Sequence, residues 1–245
     1  MPPSSIIRQA LEALASGKCV AILDSESREG ETDLFFPAAT TTPGALRTLR
    51  TQAGGELYIA IGSEVATTFG LPYMGQVLAM AHSHPVLQCS AKGTVMCQGS
   101  CSVGISLDHR SLKTGASDVE RSYTCRRLAG LWGEHSCASN GNGGIVKPLT
   151  SAQEAFGREF HAPGHIFLCV ENSLGLRARQ GHTELSVALA KAAGISPLMV
   201  GCVMLCNEGD DFGALPLQDA RFWAEKHQVP FLAGQEIFDF TNGLA

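Results

Sequence analysis

Hydrophobic residues follow helical spacing in some stretches of the chain and strand-like spacing in others. Ile7, Leu11 and Leu14 recur at helical spacing before Gly17, which predicts an amphipathic helix. Short apolar runs with strand character predict strands at 19–23, 34–36, 57–61, 102–107, 166–170, 200–205 and 230–232. Helices and strands therefore alternate along much of the chain.

Polar residues mark where further helices begin and end. Thr42 and Pro43 provide the cap and first turn of a helix that Gly54 ends. Helical spacing also predicts helices over 184–193 and 217–227.

Ser117 and Glu120 form a capping-box pattern, in which each side chain can bond the backbone N–H of the other residue. The pattern predicts a helix that begins just after Ser117. We expect this helix to direct Tyr123, Leu128 and Leu131 toward the core.

Two stretches show no sustained period. Residues 72–101 combine Pro, Gly, His, Ser and Cys, and we expect them to be irregular. Residues 134–144 are rich in Gly, Asn and Ser, which favours a mobile loop or a linker between domains. Because the candidate chemical motifs lie on both sides of this loop, residues 1–245 are interpreted as one domain.

The charge balance argues against nucleic-acid and membrane-surface partners. Eighteen Lys and Arg face 23 Asp and Glu, and no unbroken run of five or more like charges occurs. No apolar run approaches the ~20 residues that span a bilayer. Nine cysteines are an odd number, and Cys19, Cys169 and Cys202 lie in apolar runs, which favours reduced thiols and a cytoplasmic location.

An acidic segment follows the predicted strand 19–23 directly. Five carboxylates fall within ten residues, and Arg28 is the one cation among them. Such crowding indicates either a solvated acidic turn or a site for a hard cation such as Mg²⁺, and the position at a strand end favours the cation. The carboxylates are Asp24, Glu26, Glu29, Glu31 and Asp33.

A second polar segment, 179–184, runs straight into a predicted helix. Backbone N–H groups at a helix start attract anions, Arg179 can grip a phosphate with two donors, and Gly181 allows close approach. His182 is suited to act as a neutral ligand or base. The alternative is an ordinary helix start with Thr183 as its cap.

Other motifs carry weaker signals. The turn 113–118 is rich in hydroxyl groups at a helix start, and His165 follows a Pro-Gly turn at the start of a strand. A zinc site is disfavoured because its candidate ligands match no zinc spacing; these are His82, His84, Cys89, Cys97 and Cys101. No nucleotide-binding glycine motif is present.

Four motifs in one order resemble 3,4-dihydroxy-2-butanone 4-phosphate synthases of the archaeal type. They are REGETD at 28–33, Thr114-Gly with Asp118 and Arg121, PGH at 163–165 and RQGHTE at 179–184. The resemblance implies an α+β fold, with one mixed sheet and flanking helices in a single domain. It also implies a homodimer with active sites near the interface.

The same resemblance implies a Mg²⁺-dependent reaction, with Mn²⁺ as the alternative cation. Ribulose 5-phosphate would become 3,4-dihydroxy-2-butanone 4-phosphate and formate, in riboflavin biosynthesis. The implied metal ligands are Glu29 and His182. The implied substrate-binding residues are Arg28, Asp33, Thr114, Arg179 and Thr183. The implied catalytic residues are Asp24, Glu26, Arg28, Glu31, Asp33 and His165.

Three positions depart from the family pattern. Tyr58 replaces a cysteine, His161 replaces an arginine, and Val203 replaces a glutamate that would transfer protons. Two alternatives therefore stay open beside the synthase. One is a diverged homologue that enolises a pentulose phosphate and forms another product. The other is a catalytically silent protein that binds metal and sugar phosphate.

Overall fold

A single mixed sheet organises the molecule. The computed structural model describes residues 4–91, 101–136, 149–207 and 212–242. The strands are β1 (Val20–Leu23), β2 (Thr32–Pro37), β3 (Gly54–Ile61), β4 (Val103–His109), β5 (Phe160–Val170), β6 (Leu198–Met204) and β7 (Phe231–Ala233). They lie in the order β4-β5-β3-β6-β2-β1-β7. The pairs β1–β7 and β3–β5 are parallel and the others are antiparallel.

Helices cover both faces of this sheet. They are α1 (Ser5–Ala15), α2 (Pro43–Thr48), α3 (Ser63–Phe69), α4 (Met74–Ala79), α5 (Pro85–Ala91), α6 (Asp118–His135), α7 (Ser151–Glu159), α8 (His182–Ala192), α9 (Leu217–Lys226) and α10 (Gly234–Asn242). Within the described ranges, no helix is long and apolar enough to cross a bilayer.

Successive residues of the central strands face two separate hydrophobic cores, as the two-residue period of a strand requires. On β6, Val200 packs with α2, α6 and α9, whereas Met199 packs with α1, α8 and α10. Both residues are fully buried. The central strands are therefore buried on both faces, whereas β5 near the sheet edge exposes His161, His165 and Phe167 on one face.

A glycine in β6 allows two aromatic rings to meet across the strand. A Cβ atom on Gly201 would lie 2.4 Å from Cε1 of Phe35, so only glycine fits without displacing that ring. Phe35 of β2 and Tyr58 of β3 both pair with Gly201, and their rings make an edge contact at 6.0 Å. This packing directs Tyr58 along the sheet toward β2.

The predicted fold class is confirmed, with one mixed sheet and helices on both faces. Each predicted strand overlaps an observed one, and the capping box of Ser117 and Glu120 is formed at the start of α6. Leu128 and Leu131 are buried as expected. Their burial and the capping box together fix α6 against the sheet.

Several expectations were wrong. Residues 72–101 are not wholly irregular, because α4 and α5 occupy part of them; helices of six and seven residues are too short for a clear period. Tyr123 is 38% exposed and does not enter the core. Residues 134 and 135 of the loop expected at 134–144 belong to α6, and 137–144 lie outside the described residues.

Candidate active site

The turn between β1 and β2 is shaped by one buried carboxylate. Oδ2 of Asp24 accepts hydrogen bonds from Nη1 of Arg28 at 2.7 Å and from the backbone N–H of Glu29 at 3.2 Å. Its Oδ1 accepts from the backbone N–H of Glu31 at 3.2 Å. Gly30 adopts φ +68°, which the reversal requires. Asp24 therefore holds the acidic turn in one conformation.

Glu29 of this turn faces His182 at the start of α8. Nδ1 of His182 lies 3.6 Å from Oε2 of Glu29, and Nε2 lies 3.1 Å from the backbone oxygen of Glu31. An Nε2–H that donates to this carbonyl leaves Nδ1 to face Glu29, the arrangement usual for a metal-binding histidine. Burial opposes protonation of His182, but nearby Asp33 and Glu29 outweigh it and raise its pKa to about 9.

Three side chains at this point could hold one cation. Ligand atoms of Asp24, Glu29 and His182 all lie within 4.8 Å of one another. Oδ1 of Asp33 is buried without a hydrogen-bond partner, 3.6 Å from Nε2 of His182. Two carboxylates and an imidazole are donors that Mg²⁺ and Mn²⁺ accept. The residues present therefore fit a divalent cation, and Asp24 joins the two predicted ligands.

The carboxylates of the acidic turn differ in how readily they ionise. Hydrogen bonding to His182, aided by Arg28, lowers the pKa of Glu29 to about 2. Burial raises the pKa of Asp33 and of Glu31, and neighbouring negative charges raise them further. Glu29 is thus suited to bind a cation, whereas Glu31 and Asp33 hold a proton more readily than an ordinary carboxylate does.

Arg179 is fixed beside the start of α8. Its Nη1 donates to Oε2 of the buried Glu184 at 2.7 Å, and Oε1 of Glu184 accepts from the backbone N–H of Asn172. A Cβ atom on Gly181 would lie 2.7 Å from Nη1 of Arg179, so glycine lets the guanidinium approach. The motif showed Arg179, but only the fold reveals Glu184 as its anchor.

The start of α8 has no side-chain cap. Gly181 occupies the cap position. Thr183, two residues later, is buried with its hydroxyl 3.4 Å from Oγ of Ser102. The alternative in which Thr183 merely caps the helix is therefore wrong. The uncapped helix start and Arg179 together offer N–H donors to an anion.

One cavity of about 420 Å³ is lined both by candidate cation ligands and by candidate anion-binding residues. Most predicted residues of the two motifs line it, namely Glu29, Glu31, Asp33, Arg179, His182 and Thr183. Arg28 lines a neighbouring cavity of about 240 Å³ that Arg179 also borders. Glu26 is exposed on the turn and does not line the larger cavity.

Two predicted residues lie elsewhere in the chain. Nδ1 of His165 is 2.5 Å from Oδ2 of Asp108, and the Thr114 hydroxyl donates to Oε2 of Glu120 at 2.8 Å. His165 and Arg121 line a second cavity of about 430 Å³. Within this chain, then, Thr114 and His165 are not brought to the first cavity.

The structure also locates the three residues that depart from the family pattern, which are Tyr58, His161 and Val203. The Tyr58 hydroxyl donates to Oδ2 of Asp33 at 2.5 Å, and both Tyr58 and Val203 line the first cavity. His161 is exposed, with Nδ1 3.1 Å from the backbone oxygen of Pro163. Sequence reasoning missed Glu56, which lines both the first cavity of about 420 Å³ and the second cavity of about 430 Å³. No motif contains it.

Known proteins match this chain over almost its whole length. The family model for 3,4-dihydroxy-2-butanone 4-phosphate synthase matches residues 8–240. A Methanosarcina mazei protein of that name is 37% identical over 237 residues, 95% of this chain and 90% of the relative. A namesake from Archaeoglobus fulgidus is 32% identical over 234 residues, 94% and 92% of the two chains.

Solved structures agree on the fold. A crystal structure of 3,4-dihydroxy-2-butanone 4-phosphate synthase in complex with two magnesium ions matches with a TM-score of 0.71 and 23% identity. The match covers 97% of this chain and 96% of that one. The chain belongs to the 3,4-dihydroxy-2-butanone 4-phosphate synthase family, as its four motifs predicted.

Proposed function

We propose that the protein converts ribulose 5-phosphate to 3,4-dihydroxy-2-butanone 4-phosphate and formate, as a lyase of riboflavin biosynthesis. The observation that carries this proposal is that Glu29 and His182 share one cavity with Arg179 and Thr183. A cation held at one end and a phosphate at the other suit a phosphorylated ketose. The names of the 37% and 32% identical relatives support it.

The cation in this proposal is Mg²⁺, with Mn²⁺ as the alternative, and Glu29, His182 and Asp24 would hold it. When bound, such an ion would polarise the carbonyl oxygen of a ketose and would stabilise the negative charge of its enolised form. Glu29 is ready for this role, because its carboxylate stays ionised down to a pH of about 2. Arg28, 2.6 Å from Oε2 of Glu29, orients that carboxylate.

The remaining motif residues bind the substrate and move protons. Arg179 donates to the phosphate from the position that Glu184 fixes, and Thr183 adds a hydroxyl. Glu31 and Asp33, whose pKa values burial raises, accept and return substrate protons. In this proposal Asp24 and Arg28 hold the turn, and Glu26 belongs to its exposed part.

Thr114 and His165 enter this proposal through a homodimer. Both lie away from the first cavity of their own protomer, where Asp108 and Glu120 hold them. A second copy that packs over the cavity would present its own Thr114 and His165 to the phosphate and the reacting carbons. The active site would then lie near the interface between the two copies.

The cellular setting is also part of the proposal. Cys19, Cys125 and Cys202 are buried as free thiols, which suits a reducing cytoplasm. We further propose that residues 1–245 act as one domain, because all described strands belong to a single sheet.

Val203 favours one second candidate. Valine cannot transfer a proton, and it lines the cavity beside Asp33. A homologue with this change would enolise a pentulose phosphate and form another product. A catalytically silent protein, the third reading, would bind the sugar phosphate without exchanging its protons.

One incubation separates these candidates. Purified protein with Mg²⁺ and ribulose 5-phosphate in deuterated buffer is followed by NMR for formate, the four-carbon phosphate and deuterium in the substrate. Stoichiometric formate supports the synthase. Deuterium exchange without formate supports the diverted reaction, and binding with neither supports the silent protein.

A further inference from the structure

A β-bulge lies where β3 borders the cavity. Gly54 pairs with Met204 and Leu57 pairs with Cys202, so the two residues between them, Gly55 and Glu56, stand opposite Val203 alone. Bulges of this kind redirect a side chain and recur beside active sites. Here the extra residue is a glutamate.

Gly55 makes the bulge compatible with its neighbour. A Cβ atom on Gly55 would lie 2.2 Å from Cγ1 of Val203 and 2.8 Å from its backbone oxygen, so no larger residue fits. Val203 in turn pairs with Asp33 on its other side. The bulge, Val203 and Asp33 thus form a row across three adjacent strands, with a carboxylate available at each end.

Glu56 differs from the carboxylates of the acidic turn. Asp24 accepts three hydrogen bonds, Glu29 pairs with Arg28, and Asp33 accepts from Tyr58. Among the described residues, no hydrogen bond or ion pair holds the Glu56 carboxylate, although it lines both cavities. The Glu56 side chain is exposed, and it can turn toward the first or the second cavity without first breaking a hydrogen bond or an ion pair.

We infer that Glu56 is a proton-transferring catalytic residue of the proposed reaction, acting from the β3 side of the cavity where Val203 cannot. This inference rests on the proposed function. The four-carbon product ends in a methyl group where the ketose ends in a hydroxymethyl group, so a hydroxyl group must leave as water in a dehydration step. Because the two products together contain every atom of ribulose 5-phosphate, this water must be returned before formate leaves.

Glu56 can serve both steps. In its acid form it gives a proton to the departing hydroxyl as the C–O bond breaks and the electron pair stays on oxygen, which forms water. The resulting carboxylate later accepts a proton from the water whose oxygen bonds to the carbonyl carbon before the C–C cleavage. The carboxyl group ends the cycle as it began, and no oxidant or reductant is needed.

The test compares Glu56→Gln with the matched control Glu12→Gln, an exposed glutamate on α1. We expect Glu56→Gln to lower kcat for formate release by about tenfold or more, on the scale of lost acid–base catalysis, with KM changed less than about threefold. Deuterium exchange into ribulose 5-phosphate should persist, because enolisation precedes dehydration. Circular dichroism and thermal unfolding confirm that the variants are folded.

Several results would overturn the inference. They are a kcat for Glu56→Gln within about tenfold of wild type, an equal loss in Glu12→Gln, or a loss of deuterium exchange along with formate. If wild type releases formate and Glu56→Gln matches it, this inference fails while the proposed function stands. If wild type releases no formate, both fail.

Discussion

Nδ1 of His182 lies 3.6 Å from Oε2 of Glu29, although the two residues are far apart in the sequence. The antiparallel pairing of β1 with β2 ends in the turn that carries Glu29, and α8 begins directly beside it with His182. Asp24 fixes the turn through three hydrogen bonds. Two distant motifs thus meet because the fold places a strand turn against a helix start.

Arg179→Lys tests the anion end of the cavity. Lysine keeps the charge but loses the planar pair of donors, and it cannot match the guanidinium contact with Glu184. We expect KM for ribulose 5-phosphate to rise at least about tenfold, corresponding to ~1.4 kcal/mol of binding. The control is Arg158→Lys on the exposed face of α7. Equal KM values for both variants would show that Arg179 does not bind the phosphate.

Tyr58→Phe tests the hydrogen bond between β3 and β2. The change leaves Oδ2 of the buried Asp33 without its donor, and such bonds to charged groups are worth roughly 1.5–3 kcal/mol. Urea denaturation should show a free energy of unfolding lower by about this amount. Tyr123→Phe, at an exposed tyrosine, should change it by less than about 0.5 kcal/mol. Similar values for the two variants would mean that the bond adds no stability.

Glu120→Gln tests the turn that carries Thr114. Hydrogen bonds from Thr114 and Ser117 lower the pKa of Glu120 from 4.5 to about 2. A carboxyl group whose pKa is lowered by folding contributes its full stabilisation when the pH is above its ordinary pKa, here 4.5. This stabilisation is lost as the pH falls through the lowered pKa of about 2.

The wild type should therefore be more stable than Glu120→Gln at neutral pH. The difference in stability between wild type and Glu120→Gln should become smaller once the pH drops below 4.5. Thermal unfolding over a pH series measures it, with Glu225→Gln on α9 as the control. A difference that stays constant down to the acid limit would show that the Glu120 charge is not what stabilises the turn.

Gly164→Ala tests the support of His165. A Cβ atom at this position would lie 2.1 Å from the backbone carbon of Leu107, so β5 must move away from β4. We expect a loss of stability of about 1–3 kcal/mol, as for other overpacked sites. Gly133→Ala on α6, where no atom lies within 4 Å of the added Cβ, is the matched control. Equal unfolding midpoints for the two variants would contradict the close packing.

The sequence was most informative where chemistry is local. The acidic turn and the segment 179–184 each fall within a few residues, so residue type and spacing revealed them. The capping box of Ser117 was equally local, and it formed. Their meeting in one cavity depends on the fold, and the family resemblance supplied that expectation.

The remaining features depend on contacts between distant segments. Glu56 lies in no motif, and only the register between β3 and β6 brings it opposite Val203. Tyr58 could be recognised as a departure, but its bond to Asp33 follows from the packing around Gly201. No local pattern of residues encodes a register or a bulge.

The central claim is that Glu29 and His182 hold one divalent cation, and a direct binding measurement tests it. Metal-free protein is titrated with Mn²⁺, and free Mn²⁺ is followed by electron paramagnetic resonance for wild type, Glu29→Gln, His182→Gln and the control Glu12→Gln. We expect one site in wild type and in the control, and affinity at least about tenfold weaker in both ligand variants. Folded Glu29→Gln and His182→Gln proteins that bind Mn²⁺ as tightly as wild type would contradict the account.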